Sequence, residues 1–326
     1  MIRVLGALAV AAAKTALARL RGGRLRPTWS FELEVVVRFM RADFRRLDAV
    51  SPSVMRAELD GRRYPLGRAL RAQVSVTEAV GCPVPGWWLV PTGAERARGV
   101  LLYFHGGAFL FGSTRTTHYE LLHRLAIASG RVVLGIDYRL APEHVYPAAL
   151  DDAAAALAWL SSTVPLERVV LGGDSAGGNL SVALLQRLGE AGAAMPAGAV
   201  LISPWVDMLC ETRSATENEP FDVGTAERLR AWARLGAGGL GLADPRLSVG
   251  RGPLAGLPPL LVQWGEAEVL ADDCTGFADR AAAAGLEVKR DVLRDLPHDG
   301  TMFALVSDEA ARGVATIGDW VQGRLP

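Results

Sequence analysis

The chain has no excess of charge of either sign. Lysine and arginine together number 35, aspartate and glutamate also number 35, and the formal net charge of the 326 residues is zero. Proteins that bind nucleic acid usually present a basic surface to the phosphates, so this balance argues against a nucleic-acid partner. Half of the residues are hydrophobic, which is enough for one large α/β domain with a lid or for two smaller domains.

Cysteine is scarce as well. The three cysteines, Cys82, Cys210 and Cys274, are odd in number and far apart in the sequence. This argues against a disulfide framework and favours a reducing compartment, which we take to be the cytoplasm. No cysteine or histidine pair has the spacing of zinc ligands, so we expect no metal site.

The amino terminus lacks an apolar run long enough to cross a bilayer. Residues 4–13 are apolar, but Lys14 ends the run early. The segment resembles a signal peptide, with 16–18 as a cleavage-like sequence, which makes secretion the alternative. We favour a basic amphipathic helix that packs on a lid or makes weak contact with a membrane surface. Its basic residues are Arg3, Lys14, Arg19, Arg21, Arg24 and Arg26.

A serine stands between two glycines where a strand is expected to turn into a helix. The sequence Gly173-Asp174-Ser175-Ala176-Gly177 follows the mostly apolar residues 168–172 and precedes residues 178–188, whose apolar residues have helical spacing. Such a turn holds its central side chain in a strained and exposed position, and small neighbours allow the backbone to make it. The pattern is common in a glycine-rich chain, but its context predicts Ser175 as a nucleophile.

Histidine is limited to five residues, which restricts the choice of a general base. In α/β hydrolases the catalytic order along the chain is serine, carboxylate, histidine. His298 is the one histidine that follows Ser175, and it lies in a polar stretch after a predicted strand. We therefore predict it as the base. The other four histidines precede the serine: His105, His118, His123 and His144.

Several acidic residues compete for the role of the carboxylate. They follow the predicted strand at 260–264, and Val269 and Leu270 are expected to anchor the next helix, which leaves Glu268 at the loop apex. Asp272 falls in the first helical turn, where an acid suits the helix dipole. We predict Glu268, with Asp272 as the alternative. The acids considered are Glu266, Glu268, Asp272 and Asp273, with Asp207 after the preceding strand.

An oxyanion hole is indicated by a second glycine pair. His105-Gly106-Gly107-Ala108-Phe109 follows the apolar strand predicted at 100–104. Adjacent glycines allow backbone N–H groups to approach a developing alkoxide, and the N–H of the residue after the nucleophile adds a donor. We predict Gly106, Gly107 and Ala176 as the donors. For substrate contact we name Phe109 and Trp205, and core packing is the equal alternative for Trp205.

The three motifs together resemble the hormone-sensitive-lipase family of carboxylesterases, which includes bacterial esterases and arylacetamide deacetylase. The resemblance covers roughly residues 85–326 and rests on residues 105–109, 137–144 and 173–179. It implies that Gly106 and Gly107 form the oxyanion hole and that the catalytic acid falls at Glu268. Many members carry an aspartate there, followed by proline and leucine. The sequence Glu268-Val269-Leu270 departs from that pattern, so Asp272 stays open.

The order of predicted elements favours an α/β-hydrolase fold, with a mostly parallel eight-stranded sheet and a helical lid. We expect N-terminal cap helices in 1–70, a catalytic core in 71–210 and 248–326, and a second cap segment in 211–247. The expected strands are 74–80, 87–90, 100–104, 132–137, 169–172, 199–203, 260–264 and 287–293. The expected helices are 31–47, 119–128, 150–160, 178–188, 272–284 and 310–321.

These residues predict a carboxylic ester hydrolase that needs no cofactor. By the resemblance, its partner is a small ester with a short- to medium-chain acyl group. Relatives in that family often form a homodimer, but the sequence does not determine the oligomeric state. An amidase or deacetylase of N-acyl substrates would use the same catalytic residues and is the alternative. A non-catalytic receptor on this scaffold is the third hypothesis. The gibberellin receptors, which resemble this family, lack the catalytic histidine, whereas this sequence has His298.

Overall fold

A computed structural model describes residues 2–62 and 67–326. Residues 1 and 63–66, which fall in the expected N-terminal cap, lie outside the described residues. The described chain contains a sheet of eight strands in the order β1-β2-β4-β3-β5-β6-β7-β8. The strands are β1 (Val74–Glu78), β2 (Gly86–Pro91), β3 (Val100–Phe104), β4 (Val132–Ile136), β5 (Val169–Asp174), β6 (Gly198–Ile202), β7 (Leu260–Gly265) and β8 (Val288–Leu293).

The sheet has the predicted mostly parallel arrangement. β2 runs antiparallel to both of its neighbours, and the five remaining strand pairs are parallel. Every residue of β3, β4, β5, β6 and β7 is buried. Central parallel strands have helices on both faces, which is why their sequences are continuously apolar rather than alternating.

Helices cover the sheet on its two faces, and the alternation of side chains along β3 shows how. Leu101 and Tyr103 belong to a core with α5 and α11, whereas Leu102 and Phe104 belong to a larger core with α6, α7 and α10. Successive residues of a strand point to opposite faces of the sheet, so β3 contributes side chains to both cores. These helices are α5 (Tyr119–Ser129), α6 (Ala148–Ser161), α7 (Ala176–Glu190), α10 (Ala271–Ala283) and α11 (Asp308–Arg324).

Two further groups of helices lie outside this sandwich. The N-terminal helices are α1 (Ile2–Leu20), α2 (Phe31–Leu47), α3 (Pro52–Asp60) and α4 (Arg68–Gln73). Residues 211–247, here called the insert, carry α8 (Ser214–Glu217) and α9 (Ala226–Gly236). α2 has the predicted bounds, and Ser30 caps it by accepting a hydrogen bond from the N–H of Leu33.

The insert packs against the N-terminal helices through polar and aromatic contacts. Arg228 of α9 forms an ion pair of 2.8 Å with Asp48, the residue after α2. The rings of Phe44 and Trp232 lie 5.9 Å apart in an edge-on arrangement. Segments separated by almost two hundred residues thus form one layer.

Helix α1 is largely exposed. Ala11 and Thr15 are buried, but Leu5, Val10 and Leu17 are 61%, 54% and 49% exposed. No helix in residues 2–62 and 67–326 combines the length and apolar character needed to cross a membrane.

The close approach of α7 to the sheet gives a stability prediction. A Cβ atom at Gly177 would lie 1.9 Å from the carbonyl oxygen of Phe104, so we expect Gly177→Ala to destabilise the protein by about 1–3 kcal/mol or more. Gly276 in α10 has nothing within 4 Å of the equivalent position. Gly276→Ala should therefore stabilise by about 0.5–1 kcal/mol, since alanine is the better helix former. Chemical denaturation of both variants measures the contrast, and equal stabilities would contradict the packing described.

Candidate active site

The backbone of Ser175 has the strained geometry expected of a nucleophile elbow. Its φ is 51° and its ψ is −113°, a region that a residue with a side chain rarely occupies. The turn is held because the N–H of Ser175 donates to the carbonyl of Ile202 at 2.9 Å. The flanking glycines are required sterically: a Cβ at Gly173 would lie 2.3 Å from the backbone of Gly177.

The ends of four neighbouring strands bring the candidate residues to one edge of the sheet. Ser175 follows β5, Ser203 follows β6, Glu268 lies just beyond β7 and His298 just beyond β8. In a parallel sheet these carboxyl ends lie side by side, which is where α/β proteins form their sites.

Glu268 is the predicted acid that reaches His298. Its carboxylate is fully buried, and its Oε2 lies 3.6 Å from His298 Nδ1. The same oxygen accepts hydrogen bonds from Ser203 Oγ at 2.6 Å and from the N–H of Gly265 at 3.2 Å. A buried carboxylate needs such donors to offset its desolvation, so Glu268 is held in one orientation.

The other acids considered from the sequence have different contacts. The Asp272 carboxylate accepts a hydrogen bond of 2.8 Å from the N–H of Ser214, in the insert. Asp207 forms an ion pair of 2.7 Å with Arg251. Both bind neighbouring segments, and within the described parts of the chain neither has an ion pair with His298.

The imidazole of His298 is engaged by carboxylates on both sides. Its Nε2 lies 3.4 Å from Asp299 Oδ2, and the described residues contain no hydrogen bond between this ring and Ser175 Oγ. Catalytic hydrogen bonds are often long or misaligned without substrate and tighten when it binds. The structure therefore brings Glu268 and His298 together, and the described residues show no hydrogen bond from the imidazole to Ser175.

The charges around the ring shift its protonation. Burial lowers the pKa of His298, but Asp299, Glu268 and Asp222 outweigh this effect and raise it. Burial raises the pKa of Asp299 well above its usual range, the imidazole opposes the shift, and neighbouring carboxylates add to it. The cluster consequently holds its protons to higher pH than isolated groups would, and it stabilises an imidazolium at position 298.

The predicted oxyanion loop differs from expectation at one residue. The N–H of Gly106 is already engaged, with Asp174 Oδ1 at 3.0 Å and His118 Nε2 at 3.2 Å. The prediction of Gly106 as an oxyanion donor is therefore contradicted, because an amide that points into this buried network does not face a substrate. The next two residues, Gly107 and Ala108, have backbone conformations in the left-handed region, with φ of 116° and 53°.

Asp174 is a buried residue whose importance sequence reasoning missed. Its carboxylate accepts from Tyr103 Oη at 2.7 Å and from the N–H of Gly106, and it pairs with His118 Nε2 at 3.0 Å. It thereby joins the elbow to the oxyanion loop. Its position beside Ser175 in the motif was the available signal.

A narrow, mostly apolar cavity lies beside this loop. Phe109 lines it together with Leu180 of α7 and Trp232 of α9, so the insert supplies part of the wall. Trp205 is not among the lining residues; it is fully buried and its Nε1 donates to Cys210 Sγ at 3.2 Å. Of the two roles considered for Trp205, the structure therefore gives it core packing.

The described residues contain no cluster of three histidine, cysteine or acidic side chains placed to hold a metal ion. All three cysteines are free. Cys274 lies with its Sγ 3.6 Å from Glu268 Oε1, and burial raises the pKa of its thiol well above the usual value, so this thiol stays uncharged beside the carboxylate.

The fold and the serine elbow define an α/β hydrolase, and comparison with known proteins agrees. A family model described as "alpha/beta hydrolase fold" matches residues 101–302. The chain is similar to an acetyl-hydrolase of Streptomyces hygroscopicus, with 39% identity over 241 residues, or 72% of this chain and 78% of that protein. It is also similar to the carboxylesterase NlhH of Mycobacterium tuberculosis, with 32% identity over 232 residues, or 67% and 72% of the two chains.

Comparison with solved structures identifies the family within the α/β hydrolases. A mutant of the esterase E40 superposes with a TM-score of 0.84 at 37% identity, over 90% of this chain and 99% of that one. A hormone-sensitive lipase from a metagenome library gives 0.79 at 32% identity, over 87% and 98%. The chain belongs to the hormone-sensitive-lipase family of bacterial carboxylesterases, within the α/β-hydrolase fold. It is a serine ester hydrolase, and this excludes the hypothesis of a non-catalytic receptor.

Proposed function

We propose that the protein hydrolyses short- to medium-chain carboxylic esters with Ser175 as nucleophile, His298 as general base and Glu268 as the acid that orients the imidazole. The observation that supports this best is the buried Glu268 carboxylate 3.6 Å from Nδ1 of His298, beside the strained backbone of Ser175. A carboxylate at Nδ1 orients the ring, and Nε2 is proposed to exchange the serine proton once it turns from Asp299, 3.4 Å away, to the hydroxyl.

The proposed reaction is acyl transfer to water. As Ser175 Oγ attacks the ester carbonyl, its proton passes to His298 Nε2, and the imidazolium returns it to the departing alcohol. Water then attacks the acyl-enzyme with the imidazole of His298 as the base, which releases the carboxylic acid product and restores Ser175. The carboxylates that raise the pKa of His298 favour the imidazolium that forms in both steps.

The oxyanion is proposed to bind the N–H groups of Gly107, Ala108 and Ala176. None of these three has a hydrogen-bond acceptor in the described part of the chain, and Ala176 is the first residue of α7, where N–H groups are free and the helix dipole favours negative charge. Ala108 replaces Gly106 in this proposal because the Gly106 amide is engaged by Asp174.

The N-terminal helices and the insert are proposed to act as a cap over the site. Trp232 of the insert lines the cavity together with Phe109 and Leu180. A narrow apolar cavity of this kind accommodates an acyl chain and limits its length, which supports short- to medium-chain esters as substrates.

Replacement of the nucleophile tests the reaction. Ser175→Ala should lower kcat by about 10⁴- to 10⁶-fold on a p-nitrophenyl ester series from acetyl to octanoyl, because no other group can form the acyl-enzyme. It should also abolish labelling by a fluorophosphonate probe. Ser161→Ala changes an exposed serine in α6 and should leave both unchanged. Turnover by Ser175→Ala at the normal rate would refute the proposal.

The identity of the acid is tested by a matched pair of neutral replacements. Glu268→Gln should lower kcat by about 10³- to 10⁴-fold, because the imidazole loses its orienting charge. Asp272→Asn removes a carboxylate that contacts Ser214 rather than His298, and it should change kcat little. Steady-state kinetics on p-nitrophenyl butyrate gives the ranking, and the reverse ranking would assign the role to Asp272.

We propose weak binding of α1 to an anionic membrane surface as a second property. At about 100° per residue, Val10 and Leu17 fall about 20° apart and away from Ala11 and Thr15, Leu5 lies on the flank beyond Thr15, and all three are exposed. Arg19 is paired with Glu34, but the first 31 residues contain no acid and Lys14 lies one turn from Val10, so the charge that accompanies this apolar face is positive. Peripheral helices bind anionic lipid through this combination.

Vesicle sedimentation tests this contact. The protein should sediment with vesicles of phosphatidylcholine and phosphatidylglycerol more than with phosphatidylcholine alone, because anionic lipid adds attraction. The triple variant Leu5→Ser, Val10→Ser, Leu17→Ser should lose this binding and keep its kcat on a soluble ester. Equal sedimentation of variant and parent would contradict the role of this face.

A further inference from the structure

One residue of the insert reaches into the catalytic edge of the sheet. Asp222 is buried and lies between α8 and α9. Its Oδ1 accepts hydrogen bonds from the N–H groups of Val223 at 2.6 Å and of His298 at 2.9 Å. Its Oδ2 accepts one from the N–H of Val269 at 2.7 Å. Three backbone donors thus converge on one carboxylate.

Two of these donors lie at the proposed acid–base pair itself. Val269 follows Glu268 directly, and the other donor is the amide of His298. The loops that carry these residues also share a direct bond, from the N–H of Ala267 to the carbonyl of Leu296 at 2.9 Å. Asp222 adds a second connection, nearer to both functional side chains, and it comes from outside the core.

The position of Asp222 is in turn fixed by the N-terminal helices. Arg41 of α2 donates from Nη1 to the carbonyls of Glu219 at 2.7 Å and of Asp222 itself at 2.8 Å. From the insert, Asn218 Nδ2 donates to the carbonyl of Glu268 at 2.9 Å. The chain of contacts therefore runs from α2 through the insert to both loops.

The buried Asp222 carboxylate needs hydrogen-bond donors to offset its loss of hydration. Burial raises the pKa of Asp222 to about 6, His298 opposes the shift, Glu268 adds to it, and the two backbone N–H groups lower it. A buried carboxylate next to another one persists only because it makes bonds that an uncharged or shorter side chain would not replace.

We infer that Asp222 is a positioning residue: by binding the backbones of Val269 and His298 it sets the distance between the Glu268 carboxylate and the imidazole, and it ties that distance to the seating of the insert on α2. The inference rests on the proposed function, because it assigns Asp222 an effect through that acid–base pair. Asp222 does not touch the reacting atoms in this role.

The replacement Asp222→Asn keeps the size of the side chain but turns one acceptor oxygen into a donor. The N–H of either His298 or Val269 then faces an NH₂ group, and one loop loses its anchor. Misplacement of a catalytic group by about 1 Å costs about 10²-fold in rate, so we expect kcat to fall about 10- to 100-fold while KM changes little. In a Glu268→Gln background the same change should have a much smaller effect, since both act through His298.

The matched control is Glu217→Gln, which removes an exposed ion pair of 2.6 Å with Arg213 in the insert and should leave kcat unchanged. Arg41→Ala loosens the backbone of Asp222 without adding a buried donor, and it should lower kcat in the same sense by a smaller factor. If circular dichroism shows that Asp222→Asn does not fold, Arg41→Ala takes its place as the test variant.

An Asp222→Asn enzyme that is folded and keeps kcat within twofold of the parent would overturn the inference, as would a rise of KM alone. Full additivity with Glu268→Gln would also overturn it. If Ser175→Ala retained activity, the proposed function would fail instead, so the two failures are distinguishable.

Discussion

The left-handed backbone of Ser175 is the constraint on which the rest of the site depends. A residue at φ 51° and ψ −113° is strained, and it stays there only because β5 and α7 are each fixed by packing. That packing leaves no room for side chains at Gly173 and Gly177, where a Cβ would meet backbone at 2.3 Å and 1.9 Å. The elbow, the free amide of Ala176 and the line of strand ends beside it follow from this close approach.

The second feature that organises the site is a group of buried carboxylates around one imidazole. Glu268, Asp222 and Asp299 each act on the pKa of His298, and each lies where water is largely excluded. Such charges are costly unless they are bonded. The structure meets that cost for Glu268 and Asp222 with backbone amides and the Ser203 hydroxyl. The same bonds fix the geometry of the carboxylate and the ring, so stability and the proposed chemistry depend on one network.

The insert takes part in this network. Its Trp232 borders the cavity, and its Asp222 bonds to the backbone of His298 across 76 residues of sequence. A cap that only covered a finished site would need no such bonds. In this protein the layer formed by α2 and the insert is continuous with the loops of the core, so substrate access and the placement of the base are expected to be linked.

The sequence by itself determined the eight strands and the elbow at Ser175, and it predicted His298 as the base, because apolar runs, glycine turns and residue order can be read directly from the sequence. It also ranked Glu268 above Asp272, from the place of each in a loop or a helix turn. Only the tertiary structure decided that the Gly106 amide binds Asp174, that Trp205 belongs to the core and that Asp222 joins the loops that carry Glu268 and His298. Each of these depends on contacts between segments far apart in the chain, and no short stretch of sequence encodes which distant atom a buried donor will meet.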